Sequence, residues 1–323
     1  MPSLVILGAS GFLGRAMIAH RYHSFPVKAI ARSIPSDADL HPEGVTWYQA
    51  DFLHPHALDH VLENDDIVIN LAYLKEASDM EHIRMINNII GSCLQKDVSR
   101  LIHCSTAVVV GASKDAYVNE ETRCLPVTQY EKSKYYLERC VLEAGASGLD
   151  VAILRPTAIV GPNGQNLVKL ADSLINGNRV VNYFRACLFG RRNMHLVPVR
   201  NVVAAMLYLA SEEDLLNGNI YIISSEDSVN NFISVESILL KSLGLCPRKV
   251  PILPIPFLFL SMFLKLKGSS ESNVGKVYDS SKLLATNFTP VDSITDAVSE
   301  FGKNFLKKNA TKVTYYDNKQ ISI

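Results

Sequence analysis

The stretch "LVILGASGFLG", residues 4–14, is an apolar run that breaks into glycines at Gly8, Gly11 and Gly14. The fold turns on whether it is a strand ending in a phosphate-binding turn or a glycine-rich loop of some other globular enzyme. A tight strand-to-helix turn needs residues without Cβ, both to take positive φ and to let backbone N–H groups approach a pyrophosphate at a helix N-terminus. The spacing differs from the commoner G-x-G-x-x-G, and a glycine triplet alone is weak evidence. Its position carries the reading, because a helical pattern over 12–22 follows at once and the chain goes on alternating.

Short β-branched runs alternate with helical patterns throughout the first half: "PVKAIAR"; "VTWYQAD" then 55–63; "DIVINLA" then 80–97; "RLIHCST"; then 130–145 and "DVAILRP". That order predicts an α/β fold, a doubly wound parallel sheet of Rossmann type with right-handed crossovers. After Arg155-Pro156 the pattern loosens into the turn clusters "GPNGQN" and "INGNRV", while "LVPVRNVVAAMLYLA" and "NIYIIS" read as further sheet elements. We therefore expect a dinucleotide domain over 1–155 with return elements at about 195–224. A substrate lobe would comprise 156–194 and 225–305, and 306–323, which lacks a helical stripe, would be a flexible tail.

The 323 residues, 48% of them apolar, suffice for a large α/β domain or two modest ones. With 32 basic and 32 acidic residues the formal charge is zero and no basic block stands out, so nothing electrostatic favours nucleic acid. Cys93, Cys104, Cys124, Cys140, Cys187 and Cys246 are scattered, with no metal-ligand spacing, and read as reduced thiols of a cytoplasmic protein. No metal is expected, and Met1-Pro2-Ser3 offers no basic region of a signal peptide. The segment "VPILPIPFLFLSMFLKLKG" (250–268) is apolar, but its prolines leave it short of the ~20 residues of a membrane span. It reads as a buried or amphipathic helix, with peripheral membrane contact as the alternative.

The second strand chooses between cofactors. A free ribose 2′-OH is usually read by a carboxylate at its tip, a 2′-phosphate by a cation. Here it ends in Ala31-Arg32-Ser33, so Arg32, helped by Arg15, points to NADP, with NAD as the alternative. Asp51, closing "VTWYQAD", would accept from the adenine amino group or serve as an ordinary helix N-cap.

Tyr130 and Lys134 lie four apart in "YEKSK", on one helix face. A phenol with pKa ~10 is a poor acid or base at neutral pH, and a nearby ammonium is expected to pull it toward working range. Upstream, "HCSTAVVVG" (103–111) ends a strand at the carboxyl edge, where such sheets bind ligands, and brings hydroxyl groups there.

These residues resemble the extended short-chain dehydrogenase/reductase family of nucleotide-sugar epimerases, dehydratases and ketoreductases. The matching motifs run in family order to about residue 305: the glycine turn, Asp51, "NLA" at 70–72, "NNIIG" at 87–91, the Ser/Thr strand end, Tyr130/Lys134, "LRPTAIVGP" at 154–162 and "DSSKLLATNFTP". The resemblance implies that Thr106 and Tyr130 hold the reacting oxygen, that Tyr130 is the general acid or base, and that Lys134 binds the nicotinamide ribose. It implies cofactor contacts from Ser10, Phe12, Leu13, Phe52, Leu71, Ala72, Asn88 and Pro156, with Asn88 supporting the neighbouring strand. Ser105, Thr106 and Asn166 would meet the substrate. Arg191 and Arg192 would either clamp a nucleotide pyrophosphate or form a solvated loop. Val110 and Val160 stand where the family commonly has tyrosines, and Ala158 where many members have a substrate-contacting Asn. Arg200-Asn201 stands where an acidic residue is usual.

Ala107-Val108 follow Thr106 where the 4,6-dehydratases have an Asp-Glu pair, which argues against dehydration. The resemblance is nearest to bacterial 4-ketoreductases of surface-polysaccharide (O-antigen) synthesis. It implies NADPH-dependent reduction of a dTDP- or UDP-linked 4-keto-6-deoxysugar in a homodimer built on the helices near 80–97 and 130–145. An NAD-dependent 4-epimerase is the runner-up, and a steroid-type or aldehyde-reducing enzyme comes third. From a different class, a non-catalytic NADP-binding regulator or scaffold is opposed by the presence of Thr106, Tyr130 and Lys134.

Overall fold

The computed structural model describes residues 2–20, 26–225, 227–248, 250–253 and 276–320, with side chains described as far as 309. Much of the 250–268 segment therefore lies outside the described residues. Among those that are described, no helix is long and apolar enough to cross a membrane.

The chain runs β1 (Leu4–Leu7), α1 (Phe12–Ala19), β2 (Val27–Ala31), β3 (Val45–Gln49), β4 (Ile67–Asn70), α2 (Asp79–Gln95), β5 (Arg100–Cys104), β6 (Tyr117–Val118), α3 (Gln129–Ala146) and β7 (Val151–Pro156). It continues with β8 (Ala158–Val160), α4 (Val168–Asn176), α5 (Arg179–Phe189), β9 (Leu196–Pro198), α6 (Val199–Ser211), β10 (Asn219–Ile223), α7 (Phe232–Ser242), β11 (Val277–Tyr278), α8 (Ser281–Leu284) and α9 (Ile294–Gln320). Seven parallel strands form the central sheet in the order β10-β7-β5-β4-β1-β2-β3. Its middle strands are buried from end to end, which is why they read as unbroken apolar runs rather than alternating ones. One face packs on α1 and α6 around Ile6, Met17, Val202 and Met206, and the other on α2 and α3 around Leu7, Ile86, Ile89 and Leu137. A further core joins α4, α7 and α9 through Leu170, Val235, Leu239 and Val298.

Two expectations are corrected. Residues 55–63 form turns (55–61) and irregular chain, not a helix: His56 takes φ +63°, and the Val61 carbonyl accepts from the buried Lys28 ammonium at 2.9 Å. Lys28 also pairs with Glu63 and Asp66, so this segment is anchored to the sheet. Within 196–210 only Leu196–Pro198 is strand. The rest is α6, whose buried Val199, Val202, Val203, Met206 and Ala210 follow helical spacing. The last helix, α9, runs on through 306–320, preceded on that helix by the stacked Phe301 and Phe305 rings.

Candidate active site

All the strand ends that matter share the carboxyl edge. Gly8 leaves β1 at φ +80°, where a Cβ would lie 3.0 Å from the Ala72 nitrogen, and a Cβ on Gly14 would lie 2.5 Å from the Ala9 backbone. Only glycine fits either position without displacing main chain. Gly11 caps α1 with no side-chain hydrogen bond, so the first N–H groups of the helix keep no protein side-chain acceptor there. This narrow turn before an uncapped helix start fits a dinucleotide pyrophosphate. Ser10 belongs to the same turn, and its carbonyl accepts from Arg15 Nε at 2.9 Å. Phe12 and Leu13 open α1.

Arg15 on α1 and Arg32 beyond β2 differ in state. Arg15 is paired with Asp37 at 2.6 Å, whereas Arg32 is exposed at the tip of β2 with no hydrogen-bond or ion-pair partner among the described residues. Asp51 follows β3 and its Oδ1 accepts from the Leu53 N–H at 3.1 Å, closing a turn around the buried Phe52. Asn88 on α2 donates to the Phe52 carbonyl at 2.9 Å, a support the resemblance implied for a strand and the structure directs to this loop. Leu71 and Ala72 follow β4, where the Asn70 side chain accepts the Ala72 N–H at 3.0 Å. Pro156 ends β7.

The chemistry-bearing side chains meet at the end of β5. A capping box between Thr128 and Glu131 fixes the start of α3, setting Tyr130 in its first turn and Lys134 one turn on. Lys134 is 5% exposed, and its Nζ donates to the Cys104 carbonyl at 3.1 Å. Thr106 closes the strand end, its Oγ1 accepting from the Val108 N–H. Ser105 is buried with a hydroxyl that has no hydrogen-bond partner among the described residues.

Burial sets the electrostatics. It lowers the Lys134 pKa, pushes the Cys104 thiol up to about 11 and, with the Lys134 charge, holds the His103 imidazole down to about 3. Tyr130 is 44% exposed as a residue, yet burial of its phenol, reinforced by Cys104 and Tyr73, raises the pKa to about 12, against a Thr106 hydrogen bond that favours the phenolate. The direction is opposite to the one expected from sequence. The Lys134 ammonium is turned to the Cys104 carbonyl and the Tyr73 ring, 4.8 Å from the ring centroid. The Tyr130 phenol is thus held protonated at neutral pH.

Beside Thr106 opens a cavity of about 310 Å3, lined by Ala107, Val108, Thr157, Ala158, Phe189, Met194, Phe232 and Tyr278, with Arg192, Asn193 and His195 as its other polar members. Arg192 thus lines this cavity, while Arg191 is exposed outside the lining. Asn166 is exposed and donates to the Ile159 carbonyl at 2.8 Å, also away from the lining. Sequence reasoning missed Tyr73, His82 and the aromatic wall. Tyr73, directly after "NLA", was the one with a local signal.

The family model described as "NAD dependent epimerase/dehydratase family" matches residues 4–224. The human short-chain dehydrogenase/reductase family 42E member 1 is 27% identical over 269 residues, 71% of this chain and 65% of its own length, so the chain spans just under two-thirds of that relative. A putative dihydroflavonol 4-reductase of Synechocystis is 24% identical over 91% of this chain and 92% of its own. Among solved structures, the DesIV double mutant, a dTDP-glucose 4,6-dehydratase of Streptomyces venezuelae, superposes with a TM-score of 0.72 at 18% identity, covering 95% and 98% of the two chains.

Proposed function

The chain belongs to the NAD dependent epimerase/dehydratase family, and from that premise we propose that it is an NADPH-dependent ketoreductase acting on a ring ketone. The observation that carries this reading is the wall of the cavity beside Thr106, where Ala158, Phe189, Met194, Phe232 and Tyr278 offer an apolar face to a substrate ring. The Synechocystis relative bears a name that fits such a substrate.

Bound NADPH supplies the hydride. The chain's own groups do the rest: Thr106 and Tyr130 hold the carbonyl oxygen where negative charge develops, and Tyr130, protonated at neutral pH, delivers its proton there. Lys134 orients the cofactor ribose beside them, and the apolar wall excludes water. The glycine turn, Phe52, Leu71, Ala72 and Pro156 line the path of the dinucleotide, with Asp51 at its adenine end and Arg32 as the 2′-phosphate reader. We place the reductase in the cytoplasm as a homodimer joined through α2 and α3, with 156–194 and 225–305 as its substrate lobe.

A second reading keeps the nucleotide-linked 4-keto-6-deoxysugar, whose methyl edge would face the aromatic wall while Asn193, His195 and Arg192 met its polar groups. NADPH consumption by purified protein decides among substrates. The panel is a dihydroflavonol, a 3-ketosteroid and dTDP- and UDP-linked 4-keto-6-deoxyhexoses, with NADH and Tyr130→Phe run beside them. The expected result is Tyr130-dependent oxidation of NADPH with an apolar ring ketone. Turnover of the keto sugars alone would establish the second reading. Tightly bound NAD with sugar isomerisation and no net consumption would establish the epimerase, and cofactor binding with no turnover would establish the non-catalytic protein.

A further inference from the structure

Tyr73 lies three residues beyond the end of β4, on a turn held by the buried Asn70. Three side chains converge on its ring. The Lys134 Nζ sits over it, 4.8 Å from the centroid. The Tyr130 ring meets it edge-on at 5.4 Å and 79°, and the His82 imidazole stacks on it at 4.6 Å and 29°.

A buried ammonium has three N–H donors to satisfy, and Lys134 makes one hydrogen bond among the described residues, to the Cys104 carbonyl. An ammonium desolvated to this degree needs further compensation, and an aromatic face supplies it through the negative potential of its π cloud. We propose that Tyr73 is a positioning residue, whose ring face seats the Lys134 ammonium and whose edge sets the Tyr130 ring. The catalytic relevance of this seat rests on the reductase reading, in which Lys134 and Tyr130 serve the reaction. The seat itself does not.

His82 completes the stack as a neutral backing. Burial and the Lys134 charge both disfavour its protonation, so no second cation sits against the ring. The other ionisable groups around Lys134 are Cys104, Glu138, His103 and Tyr130. Glu138 is bound to Arg155, His103 is held neutral, and burial holds the Cys104 thiol and the Tyr130 phenol protonated through the neutral range. Burial likewise raises the pKa of the Tyr73 phenol itself, so a titration followed at the Lys134 signal is read at Lys134.

The test is an NMR titration of the full chain carrying 13Cε-lysine, with the Lys134 signal assigned by its loss in Lys134→Met. Position 73 is varied through Phe and then mono-, di- and trifluorinated phenylalanines, which weaken the π face while keeping the ring's shape. The expected result is a Lys134 pKa unchanged in Tyr73→Phe and falling stepwise with fluorination by about half to one pH unit in all. A flat series would overturn the seat, as would an equal fall in Phe and trifluorophenylalanine, which would assign the effect to the hydroxyl. Tyr73→Leu serves as the second variant, expected to match or exceed the trifluorinated ring, and an unchanged pKa there also refutes the proposal. Because the titration needs neither cofactor nor substrate, a wild-type protein that turns over no ketone would refute the reductase reading and leave the seat to be judged by the series.

Discussion

Arg155 at the end of β7 and Glu138 on α3 form a two-pronged ion pair, Nε to Oε1 at 2.9 Å and Nη2 to Oε2 at 2.6 Å, with both side chains buried. Glu138 stands one helical turn beyond Lys134, so this pair locks the rotation of α3 against the sheet and with it the direction in which Tyr130 and Lys134 project.

Breaking one half of that pair leaves an uncompensated buried charge. Glu138→Ala is expected to cost about 3–5 kcal/mol in urea unfolding. Replacing both partners together, as Glu138→Leu with Arg155→Met, recovers most of the loss. A double variant as unstable as the single one would show that shape, not charge, holds the contact.

The phenol of Tyr130 makes a sharper prediction. Its burial disfavours the phenolate, and a folded-state pKa of about 12 keeps the proton on throughout the neutral and mildly alkaline range. In ultraviolet difference titration of the ligand-free protein, Tyr130→Phe should therefore remove no absorbance change below about pH 10. In turnover, reduction should lose no rate to Tyr130 ionisation up to that pH, while oxidation of the product alcohol, which needs the phenolate, should rise with pH. A Tyr130 signal titrating near 8 would contradict the desolvated setting.

Cofactor choice is expected to rest on Arg32 alone, because Arg15 is already bound to Asp37 and the Ser10 carbonyl. Arg32→Ser should raise the KM for NADPH about 10–100-fold and leave that for NADH within a factor of two or so. Equal effects on both cofactors would make Arg32 an ordinary solvated side chain.

Two glycines should part company. Gly14→Ala drives a methyl to within 2.5 Å of the Ala9 backbone, and is expected to lower stability by about 1–3 kcal/mol and to weaken NADPH binding. Gly91→Ala on α2 meets open space and is expected to raise stability by about 0.5–1 kcal/mol, as alanine is the better helix former. Thermal melts and fluorescence titration of NADPH read both.

What the sequence made legible was what it holds locally. The buried strands announce themselves as unbroken apolar runs, the Gly8–Gly14 turn follows β1 directly, and Tyr130 and Lys134 sit one turn apart on α3. Leu58, Val61 and Leu62 are buried at helix-like spacing, yet the positive φ of His56 and the grip of Lys28 on the Val61 carbonyl turn the chain instead. The apolar density of 196–210 suits a strand or a buried helix equally, and packing against the sheet selects α6. Tyr73 and His82 come together only when α2 folds back over β4. The Phe189, Phe232 and Tyr278 wall draws on segments up to about ninety residues apart, a proximity no local pattern encodes.

That wall also separates two kinds of heredity within the chain. The groups proposed to move the proton sit on the β5 end and α3, while most of the surface proposed to meet a substrate comes from the β7–β8 junction, the turn after α5, the start of α7 and β11. Substitution at Ala158, Phe189 or Met194 can reshape the mould without disturbing the tool. Descendants of one such scaffold are then free to exchange the molecule they act upon while inheriting the reaction unchanged.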